Sequence, residues 1–468
     1  MSALMRILLA FSVATYIGAV SGCGDDGDTQ TVNVPSAGPN KTSGNAKAED
    51  TDNKIVKDAI ACIKKRQFGD AVKLLNQAIE SDDKCAEAFF QRAGILADAR
   101  RDANALQDYS KAVELAPANV RYLNMKGLFL LTRSQLDEAA KDFAKAVKLD
   151  PTYVQAHNNL GLVKLAEGDY HGAIDDFNQA LKLDDAYVDG YNNRGFAWYQ
   201  ASNDERALAD FNKTLKLNNE YVNAYNNRGM LSVRMKDYEK AIGDFTSAIR
   251  LDSRNVKHYR NRQAAYRELG LVEQAKVDGD RVTWLLKLHD LNNKIARSPQ
   301  KAEHYIKKAS HLADAGEQEI ALATFEQALQ IKPDSPNAFV TRAEFWLSTG
   351  ELEKTLADCN AAIDAAKKTG DWSHEAFSTR ADAYVQIAMR DKAADEAFMK
   401  SKAGVGQVNP QLVKYDRAIA DYTAAKRLDT AVAKAYLRRA ILRRANNDEL
   451  GFKSDLAMVQ QLDPSILR

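Results

Sequence analysis

Four asparagines, Asn159, Asn193, Asn227 and Asn261, stand 34 residues apart. Asparagine is a poor helix former relative to alanine, so a column of four in phase needs a cause. A carboxamide carries both a donor and an acceptor and can pair with a peptide unit without reading its side chain. The same column could also serve solubility, or a hydrogen bond between copies of a repeated unit. The sequence leaves both readings open. Arg194, Arg228 and Arg262 follow directly and form a second column, which reads as ion pairing along helices rather than as a ligand site.

Other chemistry is sparse. Seven histidines, at 157, 171, 258, 289, 304, 311 and 374, stand in no metal-ligand spacing. There is no HExxH, paired CxxC, GxGxxG or Walker-type loop, and no Ser/His/Asp set is recognisable. The reading is therefore no enzyme, no metal, no cofactor and no small-molecule substrate. A net charge of +1 over 468 residues provides no global field for nucleic acid. Of the four cysteines, Cys359 reads as a buried hydrophobe. Cys62 and Cys85 flank one repeat, and their spacing alone does not decide whether they pair.

The elements that position these residues follow from self-similarity. Ala71, Ala105, Ala139, Ala173, Ala207, Ala241 and Ala275 fall 34 residues apart. Four residues after the first six come Leu75, Tyr109, Phe143, Phe177, Phe211 and Phe245, and the series fails at Gly279. Twelve residues before them stand Ala59, Ala93, Gly127, Gly161, Gly195 and Gly229, and Gln263 breaks that column. Residues at i and i+4 share one helix face, and small residues let two axes approach closely. Gly168-Asp169 supplies a stop and a start. Each repeat is an antiparallel helix pair that must stack on neighbours to bury its faces.

The period slips after Ala275. The next anchor, Ala321, lies 46 residues on, and Trp284, Leu285, Leu288, Leu291 and Ile295 in between predict an extended second helix of the seventh repeat. Repeats eight and nine are anchored by Ala321 with Phe325 and by Thr355 with Cys359. A tenth pair is expected from about 373 to 403, with Ala394 and Phe398 as anchors. Residues 415–422 then read as a second helix lacking a first, and a last pair carries Tyr436, Ala440 and Leu456. The expected organisation is block one over 54–283, a connector over 284–301, and block two over 302–468, irregular near 404–414.

These residues resemble the tetratricopeptide repeat. The fourth copy reads YVQAHNNLGLVKLAEGDYHGAIDDFNQALKLDD, and the fifth and sixth share YNNRG. The resemblance spans about residues 52–464. It implies an all-α solenoid of about 10–11 helix pairs, a right-handed superhelix whose concave groove binds a protein or peptide partner. On that resemblance the asparagine column faces the groove, with Gln155, Asn223, Lys257, Arg260, Phe196 and Tyr199 as neighbouring candidates. The Lys/Asn clamp of chaperone-binding repeats is not evident.

The N-terminus carries a separate signal. One basic residue, Arg6, precedes a 14-residue apolar run from Ile7 to Val20, the layout of a secretory signal over 1–22. The run is shorter than the ~20 residues a spanning helix needs. Val20-Ser21-Gly22-Cys23 resembles the bacterial lipobox, which implies lipidation at Cys23 and anchoring in a cell membrane facing the periplasm, with the outer membrane open because Gly24 follows. Two or more acyl chains hold a protein stably at a bilayer. From Gly24 to Asn53, six acids against two lysines and few large apolar groups describe a disordered tether, with a reach of roughly 30 Å. The expectation is a lipid-anchored scaffold. The alternatives are a structural subunit of an envelope assembly and, more remotely, an envelope enzyme.

Overall fold

The computed structural model describes residues 54–369, 373–390 and 409–467. The signal, Cys23, the tether and the anchors Ala394 and Phe398 lie outside the described residues. Twenty-two α-helices, packed in consecutive pairs, and no strand occur among the described residues. The fold is an all-α solenoid of helix pairs. No described helix is long and apolar enough to cross a membrane. The chain divides between Leu285 and Leu286 into two units.

The first unit holds seven pairs. The regular ones alternate helices such as Val154–Glu167 with Tyr170–Leu183, Val188–Gln200 with Asp204–Leu217, and Val222–Arg234 with Tyr238–Leu251. Their cores are the alanine, glycine and phenylalanine columns. Phe143, Phe177, Phe211 and Phe245 are essentially inaccessible to solvent. A Cβ built on Gly161 would lie 2.6 Å from the Phe177 ring, and one on Gly195 would lie 2.8 Å from Phe211. No L side chain tolerates such a distance, so glycine is what lets the phenylalanine seat against the first helix backbone.

The two exceptions of the seventh repeat compensate one another. A Cβ on Gly279 would lie 2.5 Å from the Gln263 amide nitrogen. Gln263 thus enters the space a phenylalanine fills elsewhere, and its Nε2 donates to the Ala275 carbonyl at 2.9 Å. Large and small have changed helices, and the volume between them is conserved.

Inside most pairs the turn residue is left-handed. Gly168 has φ 85° and ends its helix, and the Asp169 side chain then accepts from the Gly172 amide at 2.9 Å. The same turn in the fifth repeat uses Ser202 at φ 59°. The seventh repeat's second helix runs unbroken as Val272–Arg297, with Leu285, Leu288 and Leu291 buried.

The second unit contains Ala302–Asp314 with Gln318–Ile331, Pro336–Ser348 with Leu352–Thr369, His374–Arg390 with Pro410–Ala424, and Thr430–Ala445 with Glu449–Leu462. The third of these pairs corrects the sequence reading. The helix around 415–422 does have a first helix, namely His374–Arg390. The Arg380 guanidinium donates to both Asp421 carboxylate oxygens at 2.7 and 2.8 Å, and Tyr422 donates to Asp382 at 2.5 Å. Ala418 and Tyr422 are buried in the anchor places. Sequence spacing misled because the arginine and its aspartate are 41 residues apart here, against 16 in the regular repeats.

Candidate functional site

Two polar columns run through the first unit, and both lie between helices. The arginine column forms clamps. Arg194 donates through Nε and Nη2 to Asp210 at 2.8 and 2.7 Å, and through Nη1 to Asn178 of the preceding repeat at 2.8 Å. Arg228 repeats this with Asp244 and Asn212, and Arg262 with Asp278 and Thr246. Each pair of parallel bonds ties the first helix to the second, and the third bond ties one repeat to the next. Planar bidentate geometry of this kind is what arginine offers and lysine does not. The ion-pairing reading of these three arginines holds. Bonding to Asp244 and Asp278 raises the pKa of Arg228 and Arg262.

The aspartates were the missed half of the device. Asp210, Asp244 and Asp278 each sit 16 residues after an arginine. The motif extends beyond the three arginines, to Arg92 on Asp108 and, in the second unit, Arg342 on Asp358 and Arg439 on Asp455. The fourth repeat departs from it, with Leu160 at the arginine place. There Lys164 reaches Asp176 at 2.8 Å. Burial nevertheless raises the Asp176 pKa, outweighing the lysine. In the same fourth repeat His157 takes the place that Tyr191, beneath Arg194 at 5.4 Å, holds in the fifth, and its Nε2 contacts the Pro151 carbonyl at 3.0 Å. Losing the arginine removes the need for an aromatic beneath it.

The asparagine column is interior. Asn193 is 0% exposed, and Asn159 and Asn227 are also buried. Asn159 donates to Asn124 at 2.8 Å, Asn193 to Asn158 at 2.9 Å, Asn227 to Asn192 at 3.1 Å and half-buried Asn261 to Asn226 at 2.9 Å. Within a repeat, Asn158 donates to Asn159 and Asn192 to Asn193, both at 3.3 Å. From Asn227 to Asn124 the carboxamides therefore form one continuous relay across three repeat interfaces. Such a chain polarises cooperatively, and leaving one member unpaired would be costly.

This corrects the expectation that Asn159, Asn193 and Asn227 face a groove. All three donate to an asparagine of the preceding repeat, and Asn159 and Asn193 also accept from their neighbours. The signal that could have shown it is the preceding asparagine, because Asn124, Asn158, Asn192 and Asn226 also recur every 34 residues. Arg260 takes that place in the seventh repeat and is exposed. His258 fills in beside it, its Nδ1 lying 3.2 Å from the Asn226 oxygen. Burial lowers the His258 pKa from 6.5 to about 4, against Asp252, which raises it, and with Lys257, which lowers it.

The remaining candidates separate into two groups. Phe196 is buried and stacks on Tyr199, whose ring is covered in turn by the Arg234 guanidinium at 3.8 Å. Both are packing residues in this arrangement. Gln155, Asn223 and Lys257 share one repeat phase on the first helices, the first two half-buried and Lys257 exposed. Gln155 holds a buried Oε1 without a partner. Burial lowers the Lys257 pKa. Unlike the arginine and asparagine columns, this one changes chemistry at every step. It reads Glu87, Arg121, Gln155, Asp189, Asn223, Lys257.

The cysteines play a packing part. Cys62 is a free thiol, and Cys85 is buried. Cys359 is fully buried, and burial pushes its thiol up to about 12.

Family models for the tetratricopeptide repeat match residues 59–120, 127–168, 163–202 and 222–255. The chain carries tetratricopeptide repeats. These repeats are protein-interaction scaffolds, generally without enzymatic activity. Solved structures with a similar fold include PilF of Pseudomonas aeruginosa, 21% identical, covering 45% of this chain and 95% of that one, with a TM-score of 0.40. A tetratricopeptide repeat protein from Parabacteroides merdae is 18% identical over 64% of this chain and 98% of that one, with a TM-score of 0.34. YrrB, a TPR protein with an unusual peptide-binding site, is 18% identical over 49% of this chain and 95% of its own, with a TM-score of 0.30. No curated protein matches the chain significantly.

Proposed function

We propose that the protein is a membrane-anchored tetratricopeptide scaffold that holds extended segments of partner proteins against the first helices of its repeats. The observation that carries this reading is the contrast between columns. The arginine and asparagine columns recur in consecutive repeats and lie between helices, and they fix the repeats to one another. The column containing Gln155, Asn223 and Lys257 varies, reaches solvent at these three residues, and includes a buried carboxamide oxygen without a partner at Gln155. A rigid stack with a variable accessible column can read a partner's side chains, whereas a constant column could grip only its backbone.

The anchor belongs to the same proposal and rests on Val20-Ser21-Gly22-Cys23 after the apolar run. Lipid at Cys23 would fix location and the acidic segment after it would give reach, in an exported, periplasm-facing protein. The test is crosslinking in the native envelope, comparing the natural chain with Gln155→Ala/Asn223→Ala/Lys257→Ala. The triple variant should lose partner capture and keep its helicity. Undiminished capture would overturn the assignment of this column. A Cys23→Ser chain that still labels with palmitate and stays in membranes would overturn the anchor.

A further inference from the structure

The tenth repeat lacks the carboxamide pair and has a cleft in its place. Ser378 and Thr379 occupy the positions held by Asn192 and Asn193 in the fifth repeat, each pair directly preceding its clamp arginine. The corresponding acceptor position of the preceding repeat is Val340, which cannot bond to anything. Beside Ser378 and Thr379 lies a cleft of about 360 Å³ within the second unit. Glu344, His374, Glu375, Ser378, Thr379, Ala425 and Arg427 line it.

The charges in this cleft are not balanced internally. Arg427 is already engaged, donating to Asp382 at 2.8 Å, to Asp429 at 2.6 Å and to the Ser378 hydroxyl at 2.9 Å. Glu344 on Pro336–Ser348 and Glu375 on His374–Arg390 have no ion pair with any described residue, and each repels the other. Burial, reinforced by that repulsion, raises the Glu344 pKa. Thr379 is 6% exposed, lines the cleft, and makes no side-chain hydrogen bond to a described residue. Two exposed carboxylates on neighbouring helices and the hydroxyl of largely buried Thr379 thus face the cleft without a hydrogen-bond partner among the described residues, beside His374.

We propose that this cleft receives the ammonium group of a lysine in a partner protein segment, held by Glu344, Glu375 and Thr379. The inference rests on the scaffold reading above and deepens it by naming what one site would read. An ammonium has three donors that diverge from a point and suit acceptors on separate helices. A guanidinium spends two of its donors on one coplanar carboxylate, as the clamp arginines do, whereas the two carboxylates here stand on separate helices. The volume falls at the low end of ligand pockets and suits a single long side chain.

The test uses immobilised full chain and randomised nine-residue peptide pools with a fixed central residue, either lysine, Nε-acetyl-lysine or arginine. The lysine pool should be retained about tenfold better than the acetyl-lysine pool, as expected for a charge-assisted bond. Glu344→Gln/Glu375→Gln should abolish that preference and melt no lower than the natural chain, since a repulsion is removed. Thr379→Val, which leaves the charge unchanged, should reduce the preference in part. Equal retention of lysine and acetyl-lysine pools would overturn the proposal. So would better retention of the arginine pool, a preference that survives the double variant, or free spermidine binding more tightly than the lysine pool. Retention of all pools without a lysine preference removes this site and leaves the scaffold reading standing. Retention of no pool by the natural chain removes both.

Discussion

The two units share one connecting device and differ in another. Arginine–aspartate clamps join first to second helices in both, as Arg228 with Asp244 and Arg342 with Asp358 show. The asparagine relay and the glycine–phenylalanine contacts belong to the first unit alone among the described residues. In the second unit the relay places hold Ile306, Val340 and Ser378, and the phenylalanine place holds Cys359, Tyr422 or Leu456 after Phe325. The bidentate part of a clamp acts within one repeat, so each copy can keep it independently. A relay needs matched residues in consecutive repeats and ends as soon as one copy changes. The first unit is thus regular because its repeats constrain one another, and the second is free to diverge and to open a cleft.

Substitutions should separate the units in order of size. Phe177→Ala removes a fully buried ring from a glycine-floored socket and should cost about 3–5 kcal/mol. Cys359→Ala in the ninth repeat should cost markedly less, because far fewer atoms leave. Hydrogen exchange resolved by repeat is the suitable readout, since long arrays do not unfold in one step. If both changes cost the same, packing is not what distinguishes the units.

Breaking a clamp should hurt both units alike. Asp210→Asn and Asp358→Asn each weaken a bidentate pair and should cost about 1.5–3 kcal/mol, read as a loss of protection in the repeat concerned. Asn193→Ala should cost about 1–3 kcal/mol by leaving Asn158 and Asn192 unsatisfied. Its counterpart Thr341→Ala, half-buried in the second unit with its hydroxyl bonded only within its own helix, to the Asn337 carbonyl, should change stability by less than about 0.5 kcal/mol.

Acid should act on the first unit at the end of its relay. His258 has a folded pKa of about 4 against 6.5 unperturbed. The unfolded chain therefore binds the proton more readily, so stability is intact above about 6.5 and falls as pH drops towards 4. The loss should reach about 2 kcal/mol by pH 4.5, and His258→Gln should flatten it in repeat-resolved exchange between pH 7 and 4.5. The smallest effect is at the turns. Ser202→Gly relieves a left-handed φ and should stabilise by up to about 1 kcal/mol. Gly350→Ser, at φ 79° in the second unit, should destabilise by a similar amount in thermal melts.

The 34-residue period, the helix pairs and the small and large anchor columns were determined by the sequence alone. Each is a local, one-dimensional property, fixed by which side chains share a helix face. Only the tertiary structure decided what the polar columns do. A carboxamide that could grip a peptide and one that bonds to a neighbour 35 residues away have the same sequence signature, and burial alone separates them. The same holds for Gln263 with Gly279 and for His374–Arg390 with Pro410–Ala424. In each case the partner is chosen by contact across space, after an exchange of volumes or an insertion has erased the regular spacing.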